Sequence, residues 1–243
     1  MLKKRTQQLQ SFCSWLGIEM QDLSLLDMAL THTSYAHESK AVPKPKHNER
    51  IEFLGDSVLS VIVSTYMYNN FPELNEGQLT KLRAHLVCEA SLFEYAKKIK
   101  LGDFLLLGKG EELSGGRERP SLLADAFESV LGAYYLDQGF LKAQSFLLGM
   151  MQSEIDYVCT HGICSDYKTN LQEYLQQDGD VDITYRLVGS SGPEHNKMFS
   201  SEVLLDGRLI GKGEGRTKKE AEQHAAKNAL ENMGVPLCKN FII

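Results

Sequence analysis

Several features are scarce in this chain. Of its 243 residues only 6 are proline, 5 are cysteine and 1 is tryptophan. So little proline leaves no room for a proline-rich spacer or a collagen-like repeat. The cysteines, Cys13, Cys88, Cys159, Cys164 and Cys238, are odd in number and scattered. That excludes a disulfide framework and fits free thiols in a reducing compartment. No segment reaches the ~18 uncharged apolar residues of a membrane span. The best candidate, Ser57 to Tyr66, is too short and carries hydroxyls. Lys3, Lys4 and Arg5 open the chain as a signal peptide would, but Gln7, Gln8, Gln10 and Ser11 stand where its apolar core belongs. A cytoplasmic protein with no membrane partner is expected. A basic surplus is also missing: 26 Lys and Arg face 32 Asp and Glu, a formal net charge of −6. Any nucleic-acid binding must therefore come from a local patch rather than from the overall field.

What is present is a globular composition, 42% hydrophobic and 24% charged, at a length suited to one large domain or two ordinary ones. From Gln7 to about Tyr157 the pattern is helical. Apolar stretches of helical length run over Ser57–Tyr68, Gln78–Ile99 and Ser121–Leu136. They are separated by Asn69–Pro72 and the Gly- and Arg-rich Ser114–Pro120. The pattern breaks near Thr160–Ser165. Cys159, His161 and Cys164 lie close together there, but a structural zinc site needs four ligands at tighter spacing, so they read as incidental.

Beyond the break, Tyr167–Gln177 reads as an amphipathic helix with Tyr167, Leu171, Tyr174 and Leu175 on one face. Ile183–Gly189 reads as a strand. Met198–Leu205 and Arg208–Gly213 flank Asp206–Gly207, a two-residue hairpin signal. Thr217–Met233 reads as a helix with a Thr217/Glu220 capping box and an Ala221, Ala225, Ala226, Ala229, Leu230, Met233 face, ended by Gly234 and Pro236. The expected architecture is multidomain: an all-α domain over 1–158, a linker over 159–164, an α+β domain of αβββα order over 165–236, and a tail over 237–243.

The first domain carries acids in apolar company. Glu52 and Asp56 are four apart and share a helix face, with Glu49 on the same side. Their neighbours Ile51, Phe53, Leu54, Val58 and Leu59 point almost all round, the mark of a buried helix. Asp125 and Glu128 repeat the arrangement three apart in a second apolar stretch. Buried carboxylates are costly unless paired, hydrogen-bonded or metal-bound. Arg50, Arg117 and Arg119 are within reach by sequence to offset part of the charge. Two such pairs suit a hard divalent cation, Mg²⁺ above all, and so metal-assisted attack of water on a phosphodiester.

The block Asn48–Asp56 resembles the signature of the ribonuclease III family. Glu76–Ala84, Gly108–Glu111 and Gly115–Ser121 leading to Asp125 and Glu128 resemble further blocks of that family, in family order. The resemblance implies a helical endonuclease domain that cleaves double-stranded RNA with Mg²⁺, Mn²⁺ being a possible substitute. It implies 5′-phosphate and 3′-hydroxyl ends with a short 3′ overhang, and a role in maturing ribosomal and messenger RNA precursors. It assigns Glu52, Asp56, Asp125 and Glu128 to the metal site, with Asp56 and Glu128 catalytic, and Glu49 and Glu76 in supporting positions. Duplex RNA has local two-fold symmetry and one centre cuts one strand, so a C₂ homodimer is expected.

In the second domain three places could meet RNA: Gln172 and Glu173, the loop with His195, and Lys218–Lys219. Two lysines in a first helical turn oppose the helix dipole and suit an arriving phosphate. With the αβββα order they resemble a double-stranded RNA-binding domain, which reads A-form shape rather than base sequence. Residues 165–243 hold 10 Lys and Arg against 12 Asp and Glu. Within them, Arg208, Lys212, Arg216, Lys218 and Lys219 read as a local basic patch with one acid, Glu214. The rivals are a silent duplex-RNA binder, disfavoured by the four acids, and a helical phosphohydrolase, disfavoured by the lack of a His-Asp dipeptide.

Overall fold

A computed structural model describes residues 3–161, 167–193 and 197–235. It divides into two compact units, Met1–Ile155 and Asp156–Ile243. The first is helical: α1 (Lys3–Leu16), α2 (Leu23–Ala29), α3 (Thr33–Glu38), α4 (Glu49–Asn70), α5 (Glu76–Val87), α6 (Glu89–Lys98), α7 (Lys109–Leu113), α8 (Pro120–Gln138) and α9 (Phe140–His161), the last crossing the unit boundary. Local chemistry sets the ends. Asp22 caps α2 by accepting from the Ser24 N–H at 2.8 Å. Asn75 and Gln78 form a reciprocal capping box at the start of α5. Pro120 opens α8, where its missing N–H has no partner to lose.

Helix α8 is the centre of this unit. It buries Leu123, Ala126, Phe127, Val130 and Leu131 and packs on α4, α6 and α2. At its crossing with α4 the backbones touch. A Cβ on Gly55 would sit 1.9 Å from the Glu128 carbonyl oxygen, and one on Gly132 would sit 2.5 Å from that of Ile51.

Two features of the helices differ from the sequence expectation. The stretch 78–99 is two helices, broken where Cys88 turns extended (φ −70°, ψ 158°). The Ser91 hydroxyl donates to the His85 carbonyl at 2.6 Å, taking one of the acceptors the break leaves over. Both helices bury apolar residues, Leu82 and Leu86 before the break and Leu92 and Tyr95 after it, so the apolar periodicity hid the break. Helix α4 is not buried all round. Its inner face is Ile51, Gly55, Val58, Leu59 and Ile62, while Phe53 (77% exposed), Val61 (53%) and Tyr68 (76%) face outward.

The second unit runs α10 (Tyr167–Leu175), β1 (Ile183–Ser191), β2 (Met198–Leu205), β3 (Arg208–Gly215) and α11 (Lys218–Asn232), with an antiparallel sheet in the order β1-β2-β3. This is the expected αβββα order. Asp206 (φ 48°) and Gly207 (φ 79°) both take the left-handed conformation that a tight two-residue hairpin demands. Along β3, Gly211, Gly213 and Gly215 meet the alanine face of α11. A Cβ on Gly213 would lie 2.1 Å from the Ala225 nitrogen. Strand alternation therefore puts glycine against alanine and lets the helix lie close to the sheet. Behind Gly234, the Val235 N–H donates to the Leu230 carbonyl and the Gly234 N–H to that of Glu231, closing α11 with a Schellman motif.

The sequence expectations shift in detail. Helix α10 ends at Leu175 and a 3₁₀ turn covers Gln176–Asp178. Leu171 is fully buried, but Tyr174 is 39% exposed and does not join the apolar face. At the start of α11 the Glu220 N–H donates to Thr217 Oγ1 at 3.1 Å. The return bond to Glu220 comes from the Arg216 N–H, one residue earlier than a capping box places it. Cys164, His195, Pro236 and the tail lie outside the described residues.

Candidate active site and nucleic-acid interface

Helix α4 offers Glu52 and Asp56 one turn apart, and α8 offers Asp125 and Glu128. Gly55 makes the close contact with the Glu128 backbone, so the acids flanking that contact come into one electrostatic field. Burial, and then the charges of Asp56, Glu52 and Asp125, push the Glu128 carboxyl up to about 8. Glu52 is raised by burial and then by Asp125, Glu49 and Asp56. Asp125 is raised by burial and then by Glu89, with His32 acting in the opposite sense. Glu52, Asp125 and Glu128 are half-buried and Asp56 is exposed, so the centre is a partly open acidic surface rather than a sealed one.

None of the ion pairs among the described residues involves the four acids. The arginines expected to offset their charge are engaged elsewhere or point outward. Arg117 binds Glu112 and the carbonyls of Gly102 and Leu105. Arg119 pairs with Glu111. Arg50 is exposed. Glu49 is exposed, 3.7 Å from His47 Nδ1. Glu76 is exposed in the first turn of α5, where it accepts from the Thr80 hydroxyl at 3.3 Å. It is not among the charges that shift Glu52, Asp125 or Glu128.

The donor chemistry, four carboxylates whose charges push Glu52 and Glu128 upward, fits a hard divalent cation. The side chains share one field without closing on one point: among the described residues no three His, Cys, Asp or Glu are grouped to hold a metal ion. Like charges at close range repel, which opposes a tighter gathering. Sequence reasoning missed His32 and Glu89, both of which act on Asp125. His32 caps α3 by accepting from the Ser34 N–H at Nδ1. Only a tertiary contact brings either residue near, so neither leaves a local signal.

In the second unit Gln172 and Glu173 are exposed on α10, and Lys218 and Lys219 are exposed in the first turn of α11. The two helices are tied together. The Lys168 N–H donates to Gln223 Oε1 at 3.1 Å and Lys168 Nζ binds Glu222 Oε2 at 2.7 Å. The expected basic run from Arg208 to Lys219 is not one patch. Lys212 alternates with the glycines that face α11, so it points to the opposite face of the sheet, where its ammonium pairs with Glu202 at 2.9 Å. The acid-rich first loop has a structural use: the Asp182 N–H donates to Asp206 Oδ1, and the Asp206 N–H to the Asp182 carbonyl, pinning it to the hairpin.

A helical unit with an acidic crossing, followed by an αβββα module, defines a two-part nuclease of the duplex-RNA class. The comparisons agree. Residues 22–155 match the family model Ribonuclease-III-like, and residues 167–233 match the Double-stranded RNA binding motif. Ribonuclease 3 of Desulforamulus reducens is 49% identical over 236 residues, 96% of each chain. Ribonuclease 3 of Listeria welshimeri is 49% identical over 221 residues, 90% of this chain and 94% of that protein. The nuclease domain of ribonuclease III from Campylobacter jejuni, in which a flexible region is involved in dimer formation, superposes with a TM-score of 0.54 at 42% identity. That likeness covers 58% of this chain and 94% of that one. The chain belongs to the ribonuclease III family of endonucleases.

Proposed function

We propose that this chain hydrolyses phosphodiester bonds of duplex RNA with Mg²⁺, for which Mn²⁺ can substitute. The products carry 5′-phosphate and 3′-hydroxyl ends with a short 3′ overhang. It works as a homodimer in the cytoplasm, on ribosomal and other structured RNA precursors including messengers. Residues 1–158 cut, 159–164 link, 165–236 bind the duplex and 237–243 form a tail. The observation that carries this reading is the α4–α8 crossing, where four carboxylates share one field in a chain that also bears a duplex-RNA-binding motif.

Glu52, Asp56, Asp125 and Glu128 would hold the cation, and Asp56 and Glu128 are the catalytic pair. When bound, a divalent cation polarises a phosphoryl oxygen and lowers the pKa of water. The chain supplies the rest. The glycine contact fixes the spacing of the two acid-bearing helices. The raised Glu128 carboxyl holds a proton at neutral pH until a positive charge draws it off. Lys218 and Lys219, beside free helix N–H groups, attract backbone phosphate. Gln172, Glu173 and His195 supply further contacts that read duplex shape.

Glu128→Gln tests the assignment, since it keeps the size and removes the charge. Gel-shift affinity for long duplex RNA should be retained while cleavage falls by at least about 100-fold. Unchanged cleavage would overturn the site.

A further inference from the structure

A cavity of about 790 Å³ opens in the first unit between α1, α2 and the loop before α4, and none of the four carboxylates lines it. Its volume lies in the range of small-molecule sites. Arg5 forms part of the wall with its side chain only 11% exposed. Its Nε donates to Asp27 at 2.7 Å and its Nη1 to the Phe104 carbonyl at 2.8 Å. Its Nη2 is buried and has no hydrogen-bond partner among the described residues. Held by Asp27 and the Phe104 carbonyl, this guanidinium is a fixed part of the wall. Lys4 and Lys46 also line the cavity, are exposed, and take part in none of the ion pairs among the described residues. Arg5 and Asp27 offset each other, which leaves Lys4 and Lys46 against Asp22, so the wall carries a net positive charge. Opposite in character are Tyr35, 36% exposed, and the apolar Met28.

We propose that this cavity binds a mononucleotide-sized anion, its phosphoryl group held by Lys4 and Lys46 and its flat body lying against Tyr35 and Met28. Two ammonium groups suit phosphate as point charges, and an aromatic face accepts any base by stacking. The site is independent of the nuclease reading, because it shares no residue with the acidic centre or the RNA-binding module.

The test is calorimetric titration of the full chain with 5′-AMP in EDTA, which keeps divalent ions from drawing phosphate to the carboxylates. One saturable site with Kd below about 1 mM is expected, with adenosine and inorganic phosphate each at least about tenfold weaker. Lys46→Ala and Tyr35→Ala, both at exposed positions, should each weaken 5′-AMP by about tenfold or more and leave RNA cleavage within about twofold. Glu128→Gln should bind 5′-AMP as the parent does. The proposal is wrong if no saturation occurs, if both cavity variants bind normally, or if Lys218→Glu with Lys219→Glu abolishes the binding.

Discussion

At the residue scale the acids of the crossing dictate how stability responds to pH. In an unfolded chain a glutamate titrates near 4.3, whereas folded Glu128 keeps its proton up to about 8. A raised carboxyl favours the folded state fully below the unfolded value, and that contribution is lost as pH rises through the folded one. Glu52 and Asp125 shift in the same direction. Thermal melts in EDTA should therefore fall between about pH 5 and about pH 8.5 more steeply for the parent than for Glu128→Gln. Mg²⁺ should recover the parent at the alkaline end and the variant less, because a cation binding only the folded state stabilises it. Parallel pH slopes for the two chains would refute the coupling. The pairs Glu52/Asp56 and Asp125/Glu128 were legible in the sequence because three- and four-residue spacings are local facts about a helix. His32 and Glu89 were not, since they reach Asp125 only after α3 and α6 have packed. The arginines misled for a related reason: proximity in sequence does not reveal that Arg117 is held by the Gly102 and Leu105 carbonyls.

At the element scale both units rely on backbone contact through glycine, and each contact serves a different task. Gly55→Ala would drive a Cβ into the Glu128 carbonyl and force α4 from α8. Gly213→Ala would drive one into the Ala225 nitrogen and lift α11 off β3. Neither obstacle is the end of a flexible side chain, so each change should cost about 1–3 kcal/mol of stability. The functional consequences should separate. Gly55→Ala should lose cleavage while keeping duplex binding, and Gly213→Ala should lose most of its binding. Chemical denaturation, cleavage and gel-shift assays on the two variants check this; equal loss of both activities in both chains would refute the separation. The second unit was the more legible. Its hairpin, its alanine-faced helix and its Gly234 stop are all written in short-range chemistry. The α5–α6 break was hidden because Cys88 is no recognised breaker and the same core rewards the apolar spacing on either side.

At the scale of the whole molecule, the outward stripe of α4 bears on how many strands are cut at once. Phe53, Val61 and Tyr68 fall within one stripe of the helix and are largely exposed. A stripe of large apolar side chains on the helix that also carries Glu52 and Asp56 suits burial against a second copy. Two-fold pairing there would set two acidic centres against the two strands of a duplex. Phe53→Asp places a charge in the middle of such an interface without touching the inner face Ile51, Val58 and Leu59. Sedimentation of the parent should give twice the mass of one chain, and Phe53→Asp should shift it toward the monomer. Duplex RNA exposed to the variant should then be nicked in one strand or left intact rather than cut through. A variant that keeps the dimer mass and still makes paired cuts would move the interface to another face of the molecule.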